Sequence, residues 1–250
     1  MPYVRDSFWR GRTWDTIEQM QAAAIGWCAT PTGNRSHRAL EGASPNPNPV
    51  DPRGRLGYVS ALEAEYGDPM HLSLSDYFLW ERGHELRHEY VSGVIYAMTG
   101  ASATHNQLAV KLVTMLWPAA NNAGCRVTQS DMALRIESVD SVYYPDVMVA
   151  CEPLDDEYLE TAPCLVIEIL SPSTQGRDRT TKLGHYCTMP SLQVYLMVSS
   201  NPADPFVLEH RRAGDIWQHR LLRSDDEIRL ACPPITFVVK DLYDGLPPKP

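Results

Sequence analysis

The chain has no apolar run long enough to cross a membrane as a helix. Its first residues also lack the apolar segment of a secretory leader, because Arg5, Arg10, Arg12, Asp15 and Glu18 interrupt them. Basic residues are in deficit: 22 Lys and Arg face 31 Asp and Glu, a net charge of −9. That balance argues against broad, unspecific coating of nucleic acid, which depends on Lys and Arg, although a local basic groove stays compatible with it. The six cysteines, at 28, 125, 151, 164, 187 and 232, include no CxxC pair and no metal-finger spacing. Several lie inside apolar runs, so the expectation is buried, reduced thiols in a cytoplasmic protein. No internal repeat is apparent. What remains, 44% hydrophobic and 21% charged over 250 residues, is the composition of an ordinary globular protein with one good core.

Residues 1 to about 69 differ from the rest. Trp14, Ile17, Met20 and Ala24 recur at helical spacing, which predicts a short helix from about Thr13 to Trp27. The Asn-Pro steps from Ser44 to Pro49, followed by Asp51-Pro52, cannot propagate a helix or a central strand and read as linker. The expectation is a poorly ordered extension over 1–69, a domain over 70–250, and a natural start near Met70.

From Ser73 the signals become regular. Ser73 or Ser75 caps a helix that carries Tyr77, Leu79 and Trp80. Arg87–Val91 and Val94–Met98 read as a hairpin joined at Ser92-Gly93. A helix is expected from about Thr104 to Asn122, with Leu108, Leu112, Met115 and Leu116 on one face and Pro118 as a kink or stop. Short strands follow at Arg126–Ser130 and Met132–Glu137, then a longer one at Val142–Ala150 and an acidic surface loop over Glu152–Glu160. Cys164–Leu170 is nearly all apolar, the pattern of a strand buried on both faces. A helix from about Asp178 to Thr188 and a strand over Gln193–Ser199 complete a crossover long enough for parallel pairing. The last fifty residues alternate as antiparallel strands that extend the sheet.

Chemistry concentrates between Val142 and Lys182. Two apolar runs each carry one carboxylate: Asp146 follows Pro145, and Glu168 stands mid-run between Ile167 and Ile169. A carboxylate in an apolar strand is costly unless a cation or hydrogen-bond donors meet it. Side by side, the two strands would aim both carboxylates at one point, which suits a hard divalent cation with oxygen ligands.

Pro-Asp, a spacer, a Glu flanked by apolar residues and a nearby Lys is the pattern of the PD-(D/E)XK nucleases. His88 to Met98, Gly100-Ala101-Ser102 with His105-Asn106, Tyr144 to Val147, Ile167 to Thr174, and Asp178 to Lys182 with Tyr186 together resemble the Uma2 family of restriction-endonuclease-like proteins. The resemblance covers about the last 180 residues and keeps its segments in order. It implies an α/β fold, a restriction-endonuclease-like mixed β-sheet core flanked by helices with extra antiparallel strands at the C-terminal end. It further implies a Mg2+-dependent (or Mn2+-dependent) endonuclease acting on DNA, with Asp146, Glu168 and the backbone carbonyl of Ile169 as metal ligands. The motif's lysine, normally two residues after the Glu, is displaced: Leu170 occupies that position and Lys182 replaces it from the following helix. Its role would be to orient or deprotonate the attacking water and to stabilise charge on the phosphate.

Glu89 matches an acidic residue of the family's first strand and is expected as a supporting acid or second metal ligand. His105, Asp131, Asp178 and Tyr186 are expected in supporting roles, and Ser171 and Thr174 as phosphate donors or a simple turn. Val94 departs from the family, which usually has an acidic residue after the hairpin glycine. Cutting both strands of a duplex would need two sites and hence a homodimer. The acidic balance and the lack of a DNA-reading module support an alternative, a catalytically silent nuclease-fold protein that binds nucleic acid or protein.

Overall fold

The structure, a computed structural model, describes residues 72–84, 86–98, 100–170 and 178–246. The expected helix over Thr13–Trp27, the Asn-Pro linker, Ser171 and Thr174 lie outside the described residues.

Helix α1 (Leu74–Glu81) starts at Ser73, whose hydroxyl accepts the Asp76 N–H at 3.2 Å. Strands β1 (His88–Val91) and β2 (Val94–Ala97) form the expected hairpin. Ser92 and Gly93 both take positive φ, 48° and 93°, the backbone a tight two-residue hairpin requires. Helix α2 (Ala103–Asn122) is capped by Ser102. Pro118 neither ends nor interrupts it: it lies on the exposed face, where water can stand in for the N–H it cannot give to the Thr114 carbonyl.

Strands β3 (Arg126–Gln129) and β4 (Ala133–Ile136) follow. The long strand expected over Val142–Ala150 is instead two, β5 (Ser141–Tyr143) and β6 (Val147–Ala150), lying in different sheets. Pro145, which has no N–H to give a ladder, stands at the break. The acidic loop contains a two-residue strand, β7 (Leu159–Glu160), and its last carboxylate is buried against Arg126 at 2.9 Å. Then come β8 (Pro163–Leu170), α3 (Asp178–Cys187), β9 (Val194–Ser199), β10 (Val207–Ala213), β11 (Ile216–Leu222), β12 (Glu227–Leu230) and β13 (Ile235–Val238).

Two mixed sheets result. One runs β2-β1-β5-β4-β7, the other β11-β10-β9-β8-β6-β3. In the larger sheet β8 pairs parallel with β9 and antiparallel with β6. Strands β10 and β11 extend it antiparallel as expected, whereas β12 and β13 form a separate two-stranded hairpin.

Every residue of β8 is buried, because helices cover both faces. Leu165, Ile167 and Ile169 join a core with Leu108, Leu112 and Leu116 of α2. Val166 and Leu170 join one with Leu183 and Tyr186 of α3. Each fully buried Leu or Ile contributes about 1.5–3 kcal/mol, so the sandwich fixes β8 firmly. The alternation assigns Glu168 to the α3 face with Val166 and Leu170.

The cysteines overturn the expectation of reduced thiols. Cys125–Cys151 and Cys164–Cys232 are disulfide-bonded. Sequence spacing could not pair them, since their separations of 26 and 68 residues are closed only by the fold.

Candidate active site

The site lies where the two sheets, α2 and α3 converge. The register that pairs Val147 with Ile167 carries Asp146 across from Glu168. Glu89 arrives from β1 in the other sheet. Lys182 and Tyr186 are one helical turn apart on α3, hence on one face.

Lys182 Nζ stands 2.6 Å from Glu89 Oε1 and 3.1 Å from Glu168 Oε1. The Tyr186 hydroxyl donates to the same Glu168 oxygen at 2.9 Å. Side-chain exposure is 10% for Lys182 and 12% for each of the two glutamates, so the ammonium is a buried charge stabilised by two acids. Its Nζ also lies 5.4 Å from the centre of the Tyr143 ring, close enough for a cation–π contribution. Asp146 Oδ2 accepts the backbone N–H of Ile169 at 2.7 Å and meets His105 Nε2 at 3.1 Å. His105 holds its place in the first turn of α2, where its own N–H is given to the Ser102 cap at 3.2 Å.

Burial pushes the Glu168 carboxyl up to about 7; Lys182 pulls it down, and Asp146 and Glu89 push it up again. Burial also pulls His105 down, but the hydrogen bond and charge of Asp146 outweigh it, so its net shift is upward. The arrangement is three carboxylates around one ammonium and one imidazole. Clefts with charge perturbed in this way are the usual places for function.

The structure therefore brings together Asp146, Glu168, Lys182, Glu89, His105 and Tyr186. Ile169 is present through its N–H. Asp131 is not brought in: it is ion-paired with Arg87 at 3.2 Å with its side chain 83% exposed. It follows the edge of β3, and the turn into β4 directs it to solvent. Asp178 opens α3, but its side chain is outside the described residues. Sequence reasoning missed Tyr143 and His185, whose hydroxyl and Nδ1 are 2.8 Å apart beside Lys182. It also missed the buried Glu81, which holds both the N–H and the ring of His88, each at 2.9 Å. That pair braces β1 next to Glu89. An apolar run immediately before Pro145 was the available signal for Tyr143; nothing local marked Glu81.

The donor set can be matched to a cation. Among the described residues, Oδ1 of Asp146 and Oε2 of Glu168 take no hydrogen bond. Two carboxylates thus each keep one oxygen for a hard, oxygen-seeking divalent ion, which fits Mg2+ or Mn2+ better than a soft metal.

Comparison with known proteins decides the family. Residues 74–238 match the Uma2 family, described as "Putative restriction endonuclease". The chain belongs to the Uma2 family. An uncharacterized Synechocystis protein is 36% identical over 177 residues, covering 70% of this chain and 93% of that protein. A second uncharacterized Synechocystis protein is 35% identical over 131 residues, 51% of this chain and 74% of that protein. A crystal structure from Anabaena variabilis, described as a "putative nuclease belonging to DUF820", superposes with a TM-score of 0.55. It shares 20% identity and covers 67% of this chain and 96% of that one, a likeness of fold. The α/β, restriction-endonuclease-like architecture expected of a Uma2 protein is the one observed. Among the described residues, no helix is long and apolar enough to cross a membrane.

Proposed function

We propose that this Uma2 protein is a metal-dependent endonuclease that hydrolyses phosphodiester bonds in DNA. The observation that carries the reading is a buried lysine fixed between Glu89 and Glu168, beside a second strand-end carboxylate, Asp146. Asp146, Glu168 and the Ile169 carbonyl would hold Mg2+ or Mn2+, with Glu89 as a further acid. Such an ion, when bound, neutralises phosphate charge and makes water nucleophilic near neutral pH.

The chain's own residues then have defined work. Lys182, held by Glu89 and Glu168, brings its positive charge to the attacking water or to the phosphate oxygen where negative charge grows. Tyr186 keeps Glu168 in one rotamer by donating to Oε1, leaving Oε2 for the ion. His105 and the Ile169 N–H do the same for Asp146 through Oδ2. The buried setting strengthens each of these contacts relative to water. Residues 70–250 would suffice for the domain, and cutting a duplex would take two copies.

The net charge of −9 favours a second reading, a silent nuclease fold that binds nucleic acid or protein. The test is incubation of purified protein with plasmid and oligonucleotide DNA plus Mg2+ or Mn2+, beside folded Asp146→Ala and Glu168→Ala. Cleavage by the wild type that both substitutions abolish is the expected result. Binding without cleavage, under either ion, would move the protein to the second reading.

A further inference from the structure

Four cysteines from four separate segments meet at the ends of β6 and β8 that are remote from the carboxylates. Cys125 closes the turn after α2, Cys151 follows β6, Cys164 is the second residue of β8, and Cys232 lies in the turn joining β12 to β13. They pair as Cys125–Cys151 and Cys164–Cys232. The pairs are not independent, however: Cys151 Sγ lies 3.2 Å from Cys232 Sγ, across the two disulfides. The sulfurs of Cys125, Cys151 and Cys232 all fall within 4.8 Å of one another, and Cys164 is joined directly to Cys232.

Two separate disulfides would need no contact between pairs. One four-coordinate ion needs all four sulfurs around one point. A tetrahedral Zn2+ with Zn–S bonds near 2.3 Å has sulfur–sulfur edges of about 3.8 Å. The sulfurs of Cys125, Cys151 and Cys232 already gather within 4.8 Å. Cys164, outside that trio but bonded to Cys232, would complete the set by turning toward them once reduced. Soft thiolates select Zn2+ over the hard cations suited to the carboxylate site. Four protein sulfurs also leave no open position, which makes the site structural.

We propose that in its reduced form this cluster binds one Zn2+ through Cys125, Cys151, Cys164 and Cys232. It then ties the α2–β3 turn, both central strands and the β12–β13 hairpin together. The chemistry balances with a phosphine as reductant. Each disulfide takes two electrons from one phosphine and two protons, giving two thiols, while water supplies the oxygen of the phosphine oxide. The four thiols release four protons as Zn2+ binds. The inference is independent of the nuclease reading.

The test uses the full chain, reduced with a phosphine, freed of excess reagent and titrated anaerobically with Co2+ and then Zn2+. One equivalent of Co2+ should produce thiolate-to-cobalt charge-transfer absorption, and one equivalent of Zn2+ should bleach it. Alkylation mapped by mass spectrometry on the same wild-type protein should show Zn2+ shielding these four cysteines and sparing neither Cys28 nor Cys187. Cys187→Ser should keep the full signal and Cys232→Ser should lose it. Failure of the folded, reduced chain to take up either metal overturns the proposal. So does shielding spread evenly over all six cysteines, a footprint that needs no variant to fold.

Discussion

Strands β6 and β8 carry a polar cluster at each end, and the two are built on different plans. At one end Asp146 and Glu168 face each other by register, and α3 supplies Lys182 and Tyr186 from one turn of helix. At the other end, four sulfurs come from segments far apart in the chain. Cys164 and Glu168 are four residues apart on one strand, so about 13 Å separates the ends. The carboxylate end keeps more acids than its cations balance, as a site that recruits an ion must. The cysteine end is saturated by its own bonds. One end is poised to react and the other to hold, and the same buried strands align both.

The sharpest way to break the comparison is to disable one end and read the other. Asp146→Ala or Glu168→Ala should reduce DNA cleavage by more than the roughly 10–100-fold typical of a group that merely orients a ligand. Both should leave the thiol count in denaturant unchanged. Cleavage that persists in either folded variant would separate these carboxylates from the chemistry.

Lys182→Met comes next. It should lower the cleavage rate by on the order of 10²–10³, the loss seen when one donor to a developing charge is removed. It should also destabilise the fold by about 3–5 kcal/mol, since Glu89 and Glu168 lose the ammonium they share. Denaturant melts alongside single-turnover rates check both. A stable, inactive variant would mean that the acids re-pair with water or with each other through a proton; a stable, active one would remove Lys182 from the site.

The two ends were also unequally legible from sequence. Asp146 and Glu168 stood out because each interrupts an apolar run, and a carboxylate there demands a partner. Lys182 followed from the family resemblance, which implies a lysine displaced from position 170 to the following helix; that helix packs Leu183 and Tyr186 against the sheet. Most elements followed from the same periodicities. The break at Tyr144–Asp146 did not, because β5 and β6 are both apolar and only the fold assigns them to different sheets. Asp131 was misplaced because a charged residue between two strands reads alike whether it faces a cleft or solvent. Glu81 and His88 stayed hidden, since a helix-end Glu and a strand His are individually ordinary. The cysteine cluster was illegible for a plainer reason: contacts closed over 26 and 68 residues leave no local pattern.

At the cysteine end the expected effect is on stability. Replacing Cys164 and Cys232 together by Ser opens a 68-residue loop, worth about 4 kcal/mol in the chain-entropy account. Replacing Cys125 and Cys151 opens a 26-residue loop, worth slightly less, about 3.5 kcal/mol. Urea midpoints under non-reducing conditions would give the ranking. The cleavage rate per folded molecule should stay within a few-fold of wild type, and a collapse of that rate would show that the two ends are coupled through β8.

The smallest effect separates the ends by pH. Glu168 is raised from 4.5 to about 7 in the folded state, so between those values the folded chain binds more protons than the unfolded one. Its contribution to stability is therefore full below about 4.5 and is lost as pH rises through about 7. His105, also raised, acts in the same direction: its contribution is present below its ordinary value of 6.5 and is lost above its folded one. The slope from one such proton is at most about 1.4 kcal/mol per pH unit. Cleavage should run oppositely, rising with pH as Glu168 ionises and can hold a cation. Glu168→Gln should flatten the stability profile between pH 4.5 and 7, while the cysteine double variants should shift it downward without changing its shape. A wild-type profile already flat across that window would mean that Glu168 is ionised throughout, with Lys182 outweighing burial. The carboxylate end would then carry its full negative charge at every pH in the window, and cleavage should not rise across it.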